Sequence, residues 1–236
     1  IVYANYSEDD HLIWHDLIMQ QLPIVKKVAS IEYLNGLELL SLTTDKIPKV
    51  EEVSQTLRDI TGWSLIPVST LVPNRTFFYM LANKKFPVTS AIRSRAELDF
   101  YTNESPDIFH EFFGHCPLIT NKEYTNSMWK LGKLSIDCNN EIIQRLSKFF
   151  WATYEFGLLD TNEGIKPYGA GILPSKTEIK RAIECKEVIR TKLDIFSNID
   201  ASLQGNISQS TYYTIDSFKT LYAIVDNDIE RLISLI

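Results

Sequence analysis

Two of the chain's four histidines, His110 and His115, lie five positions apart in "PDIFHEFFGHCPL" (106–118), with Glu111 directly after the first. Neutral imidazoles this close in sequence are a common beginning of a transition-metal site. On a regular helix of 3.6 residues per turn, side chains five apart point roughly 140° away from each other. Ligands four apart, as in the HExxH of zinc proteases, differ by only about 40°. The helix must therefore end or distort between His110 and His115. Gly114 and Pro117 supply the means, since proline restricts the residue before it and cannot extend the hydrogen-bond ladder. His115 is expected to swing back toward the site from a fraying helix end.

Two histidines leave a divalent ion short of ligands, so a carboxylate should arrive from another element. Glu155 in "FFWATYEFGL" is the best candidate, because its neighbours are large and apolar. A buried, unpaired carboxylate is costly, and metal coordination removes the cost. Two histidines with one carboxylate make the facial triad of non-haem Fe(II) oxygenases. Asp107, three residues before His110, has two open roles: accepting from the far nitrogen of an imidazole, or capping the first helical turn. His11 and His15, four apart near the start, read as a solvated helix face rather than a second metal pair.

The function classes left open are narrowed by charge and cysteine use. A net charge of −6, with no Lys/Arg stripe, argues against nucleic acid or an anionic membrane as partner. No apolar run approaches the length of a membrane span. Three cysteines, Cys116, Cys138 and Cys185, have no CxxC pairing and fit a reducing, cytoplasmic setting as buried hydrophobes.

Periodicity predicts a mainly helical chain with a few short β-strands and no βαβ rhythm. Ser7 and Asp10 form a capping box for a first helix carrying Leu12, Ile13, Leu17, Ile18 and Leu22, stopped by Pro23. Val50, Val53, Leu57 and Ile60, between Pro48 and Gly62, mark another helix. "WSLIPV" (63–68) reads as a strand, and "VPNRTFFYMLANKKF" (72–86) as a helix opening at Pro73. A long helix starts near Asn140 and stops at Gly157, "SKTE" (175–178) opens one more, and "LYAIVD" (221–226) is a late strand candidate. No linker breaks the sequence, so residues 1–236 are expected to form one domain.

"PDIFHEFFGHCPL", "FFWATYEFGL" and "YGAGIL" (168–173), in this order, resemble the signatures of the pterin-dependent aromatic amino acid hydroxylases. The likeness extends from "YSEDDHLIWHDLIMQQLP" through "EYLNGLELLSLTTDKIPKVEEVSQTLRDITGW" and "FFYMLANKKFPVT" to "IDSFKTLYAIVD". It is most similar to the short bacterial phenylalanine 4-hydroxylases, which implies a single catalytic domain with no regulatory domain and no long tetramerisation tail. The resemblance implies an Fe(II) held by His110, His115 and Glu155, a tetrahydropterin such as tetrahydrobiopterin, and O2 as co-substrate. The implied reaction is ring hydroxylation of a free aromatic amino acid, phenylalanine to tyrosine, or the same chemistry on tryptophan or tyrosine.

By the same likeness Val68, Phe77, Glu111 and Phe150 would contact the pterin. Arg93, or Arg95 two positions on, would clamp the substrate carboxylate; the local "IR" context favours Arg93. Thr102 and Ser175 would offer hydroxyls beside it, and Pro106, Trp151 and Phe156 would wall the substrate ring. Departures from the family pattern are Pro174 before Ser175 where relatives usually show Ser-Ser, Phe150 for a frequent tyrosine, and Thr70 for a glycine. A monomer and separate pterin-recycling enzymes are expected. The rival classes are a zinc hydrolase using Glu111 as general base, and a non-catalytic metal- or pterin-binding domain.

Overall fold

The computed structural model describes residues 6–97, 106–194 and 209–228. Helix α1 (Glu8–Val28) opens on the predicted capping box: Ser7 Oγ accepts from the Asp10 N–H at 3.2 Å, and the Ser7 N–H donates to Asp10 Oδ2 at 2.8 Å. Pro23 does not stop it. The carbonyl that proline leaves without a donor belongs to Met19, and both residues are on the exposed face, where water can serve it. The buried stripe Trp14, Leu17, Gln21 and Val25 runs past without a break.

His11 and His15, half-buried on α1, do more than face solvent. His11 Nδ1 accepts from the Ile47 N–H at 3.2 Å, and His15 Nδ1 bonds the Thr44 carbonyl at 3.0 Å. With buried Trp14 donating to the Thr43 carbonyl at 2.9 Å, they staple the loop after α2 (Ile31–Leu40) onto α1. Helix α3 (Val50–Thr61) ends as predicted on Gly62, whose φ of +80° suits glycine.

Strand β1 (Ser64–Val68) pairs in parallel with β2 (Lys85–Thr89), and α4 (Asn74–Ala82) makes the crossover. One βαβ unit therefore exists where none was expected. Its second strand follows only two residues after α4, too closely for a periodicity window to separate them. The register places Val68 opposite Thr89 at one end of the pair, where both line the cavity described below.

The chain then enters the segment His110–His115, which is a π-helix, and continues into α5 (Cys116–Ile119), α6 (Lys122–Leu134) and α7 (Asn140–Phe150). A second π-helical segment, Trp151–Glu155, extends α7. Strands β3 (Leu158–Thr161), β4 (Gly164–Pro167), β5 (Ile189–Lys192) and β6 (Thr211–Ile215) form a sheet in the order β4-β3-β6-β5. Helix α8 (Lys176–Glu184) is capped by Ser175, whose Oγ accepts from the Glu178 N–H at 3.1 Å. The predicted strand at 221–226 is instead helical, in α9 (Phe218–Ala223) and a π-helical turn from Ile224. Ser217 caps it, and Phe218, Leu221 and Val225 recur at helical spacing on the buried side. No helix among the described residues is long and apolar enough to cross a membrane.

His115 does not hang from a frayed end. The helix widens: the Cys116 N–H reaches back five residues to the Glu111 carbonyl, and the chain stays helical through Pro117. A turn that closes at i→i+5 brings residues five apart toward one face, which an α-helix cannot do. Proline at 117 has no N–H to offer Phe113 four residues back, and the Tyr33 hydroxyl takes that carbonyl instead at 2.6 Å. Tyr33 is wholly buried, and no motif marks it. Replacing Tyr33 by Phe should strand the Phe113 carbonyl and cost about 1–3 kcal/mol. Urea unfolding checks this, through a lower midpoint at unchanged slope.

Candidate metal centre

His110, His115 and Glu155, all buried, offer ligand atoms that lie within 4.8 Å of one another. Among the described residues no other group of three or more His, Cys, Asp or Glu converges this way. Both ligand-bearing segments are π-helical, and the Phe156 N–H reaches back five residues to the Trp151 carbonyl at 3.0 Å. Each wide turn displaces one side chain from regular helical phase, and those displaced side chains meet.

The loop 168–174 locks the two turns together. Gly171 N–H donates to the Glu155 carbonyl at 2.8 Å, and Ala170 N–H to the Tyr154 carbonyl at 3.0 Å. Close approach explains its glycines. A Cβ on Gly169 would run into the Glu155 carbonyl, and one on Gly114 would meet the Ala170 carbonyl at 2.7 Å. From the far side, buried Gln21 on α1 donates to the Leu173 carbonyl at 2.7 Å.

The donor atoms fit an iron ion. His115 Nε2 is 3.0 Å from Glu155 Oε1, and His110 Nε2 is 3.7 Å from Glu155 Oε2. Atoms bound at about 2.1 Å to one ion in neighbouring positions stand roughly 3 Å apart. Glu155 Oε2 is buried and has no hydrogen-bond partner in the protein, which a cation would supply. Burial drives the His110 pKa down to about 3 against the pull of the Glu155 charge, so its ring is the neutral, ligating form. For Glu155 burial favours the acid, but the charge and hydrogen bond of His115 outweigh it and hold the pKa below the usual carboxylate value.

Of the two roles open to Asp107, the cap is present: Oδ1 accepts from the His110 N–H at 2.9 Å. The carboxylate also grips Arg93, with Nε to Oδ2 at 2.7 Å and Nη2 to Oδ1 at 2.9 Å, and both side chains are over nine-tenths buried. Burial alone would raise the Asp107 pKa, but the Arg93 hydrogen bonds and charge reverse that and lower it.

A cavity of about 400 Å³ opens over the trio. Val68, Phe77, Glu111, Phe150, Pro106 and Trp151, the residues to which the resemblance gives pterin and substrate contacts, all line it. Phe77 meets Phe150 edge-on at 4.9 Å between ring centres. Phe156 is one layer back, its ring 5.0 Å from that of Trp151. Arg93 and Ser175 do not line this cavity; they border a small cleft with Gln21 and Pro174. Arg95 is half-exposed on the surface, and Thr102 lies outside the described residues. Burial pushes the Glu111 carboxyl well above its ordinary range, and the Glu155 charge adds to the push.

Sequence reasoning missed Phe86, Pro87 and Thr89 on β2 and Gln144 and Ser147 on α7 as cavity walls. Phe86 lies 4.7 Å, ring to ring, from His115. Helical spacing back from Trp151 would have pointed to Ser147 and Gln144.

A family model described as biopterin-dependent aromatic amino acid hydroxylase matches residues 1–232. The phenylalanine-4-hydroxylase of Pseudomonas aeruginosa is 36% identical over 231 residues, covering 98% of this chain and 87% of its own length. That of Vibrio cholerae is 34% identical over 231 residues, covering 98% and 79%. The apo structure of the phenylalanine hydroxylase from Colwellia psychrerythraea 34H superposes with a TM-score of 0.93 at 38% identity, covering 99% of this chain and 88% of that one. A structure of the Chromobacterium violaceum enzyme with iron(III) and oxidised 7,8-dihydrobiopterin superposes with a TM-score of 0.90 at 33% identity, covering 98% and 84%.

Two substitutions test the architecture. Asp107→Asn keeps an acceptor for the cap but removes the carboxylate charge paired with the buried Arg93 side chain, which should cost about 3–5 kcal/mol near neutral pH. The folded-state pKa of Asp107 is depressed, so the ion pair's contribution is complete above the unfolded value of about 4 and fades as pH falls through the folded one. The stability gap between parent and variant, read by urea unfolding at a series of pH values, should close in that acid window. Gly169→Ala should overpack the Glu155 turn by about 1–3 kcal/mol. Metal titration should show weaker Fe(II) binding while circular dichroism stays native.

Proposed function

The chain belongs to the biopterin-dependent aromatic amino acid hydroxylases, and from that premise we propose that it converts free phenylalanine to tyrosine with O2, a tetrahydropterin and iron. The observation that carries the reading is the trio His110, His115 and Glu155 beneath a cavity with aromatic walls. Bound there, Fe(II) supplies the one-electron chemistry through which triplet O2 can react with closed-shell organic partners. Zinc has no second oxidation state for this, and a zinc hydrolase would make no use of Phe77, Phe86, Phe150 and Trp151 around the donors.

The chain's own residues divide the remaining work. Phe77 presents a face on which a flat pterin ring stacks, worth about 1 kcal/mol beyond burial. The Glu111 carboxyl, pushed toward its protonated form by burial, lines the cavity and faces the pterin's polar edge. Pro106 and Trp151 wall the substrate ring, with Phe156 supporting Trp151. Arg93 takes the amino acid carboxylate, a pairing to which the planar guanidinium is suited. Asp107 holds its Nε and Nη2, so the fork is oriented before substrate arrives. Apolar walls exclude water from the reacting atoms.

Preference for phenylalanine over tryptophan or tyrosine rests on the shape of these walls. Each turnover spends a tetrahydropterin, so a separate reductase must regenerate it, and the reducing cytoplasm suits that supply. The test is product identification after anaerobic Fe(II) loading, with tetrahydrobiopterin and the three aromatic amino acids in competition. Tyrosine formed from labelled phenylalanine is the expected outcome; turnover with zinc and without pterin would overturn the reading. Glu155→Ala should lower iron affinity and kcat/KM by more than about 100-fold, beyond what loss of an outer contact causes.

A further inference from the structure

Two carboxylates of α1 hold the segment that carries Arg93 through a second arginine, and we propose that Arg95 is a positioning residue for amino acid binding, acting through Arg93. The inference rests on the assignment of Arg93 to the substrate carboxylate. Residues 90–94 belong to no regular element, and Arg95 begins a single 3-10 turn, Arg95–Glu97. Without a backbone ladder, such a segment is shaped by individual ties.

On the core side the Ala91 carbonyl accepts from the Ile108 N–H at 2.7 Å, and the Arg93 N–H donates to Asp107 Oδ2 at 3.1 Å. On the α1 side the Tyr6 hydroxyl donates to the Ser90 carbonyl at 2.8 Å. Arg95 then bridges α1 lengthwise, with Nε to Asp9 Oδ1 at 2.9 Å and Nη1 to Asp16 Oδ2 at 2.9 Å. Asp9 and Asp16 are seven positions apart, two helical turns, and so share one face of α1. A lone exposed ion pair contributes little. Here one planar fork spans two fixed points, which sets its place along the helix and its angle together, a task lysine's point charge performs poorly.

Further along the same helix, Gln21 donates to the loop that packs against Glu155. Helix α1 therefore ties the arginine segment to the loop behind the metal ligands, and Arg95 is the fastening on the arginine side. Arg93 is buried while Arg95 is half-exposed; one faces the cleft and the other holds it in place.

The test compares Arg95→Ala and Arg95→Lys with the parent, each as the Fe(II)-loaded enzyme supplied with tetrahydrobiopterin. In Arg95→Ala the KM for phenylalanine should rise about 3- to 10-fold, as for a displaced rather than deleted contact, with kcat and the KM for pterin within about twofold. Arg95→Lys should fall between. At about 0.5 M salt, where screening reaches a few ångström, the parent's KM should approach that of Arg95→Ala. Phenethylamine, which lacks the carboxylate, should inhibit parent and variant equally. Arg93→Ala should raise the KM further and cancel the effect of a second substitution at 95. If Arg93→Ala is impaired but Arg95→Ala has the parent's KM, the inference fails and the Arg93 assignment stands; if Arg93→Ala also has the parent's KM, both fail. Parallel loss of kcat and pterin affinity, or weaker phenethylamine inhibition, would indicate general damage and overturn the inference as well.

Discussion

Everything around the metal site answers to the five-residue interval between His110 and His115. An α-helix would hold the two rings on different sides, so the backbone takes a wide turn whose hydrogen bonds close over five residues. A wide turn is less well packed along its axis and leaves polar groups to be served from outside. The Tyr33 hydroxyl, the narrow contact at Gly114 and the loop 168–174 are the external supports. The same device recurs at Trp151–Glu155, where backbone donors of that loop satisfy the carbonyls of Tyr154 and Glu155. Two irregular turns of one kind thus pack on a loop whose tightest contacts fall at Gly169, Ala170 and Gly171.

The second constraint is charge. Asp107, Glu111 and Glu155 are three buried carboxyl groups within one small volume, and their environments drive them apart. Asp107 is neutralised by Arg93 and stays ionised; Glu155 faces the histidines; Glu111, with no cation assigned to it, is pushed toward the neutral acid. Such divergence is a physical signature of a working site, because burying three equivalent anions together would be prohibitive. An acid pushed toward neutrality, an ion-paired acid and an acid facing the histidines can coexist where three identical ones could not.

How much of this is legible in the sequence depends on whether a feature is local. The metal trio is readable because its cost is local: two close histidines and an acid among aromatic residues demand an explanation wherever they fold. Capping residues Ser7, Ser175 and Gly62 announce their helices for the same reason. Pro23 misleads, since the penalty for proline within a helix depends on whether the freed carbonyl faces water, which is a tertiary property. "LYAIVD" misleads because a short apolar run carries no period. Tyr33 and Phe86 are silent, each brought to the cavity or its supports by segments far along the chain. Widening, as opposed to fraying, is equally unreadable from Gly114 and Pro117, because both permit either.

The contact between Gln21 and the Leu173 carbonyl joins positions 152 apart. It has a consequence for biosynthesis. The histidines leave the ribosome several seconds before Glu155 and the loop behind it, at ordinary rates of about 5–20 residues per second. During that interval a nascent polypeptide carries the two imidazoles without the ligand acid Glu155, and the Gln21 side of its first helix without the loop it holds. High-affinity capture of iron is thereby deferred until Glu155 and the loop through residue 174 have been made, so a half-made chain does not hold a redox-active ion in an open, unshielded pocket.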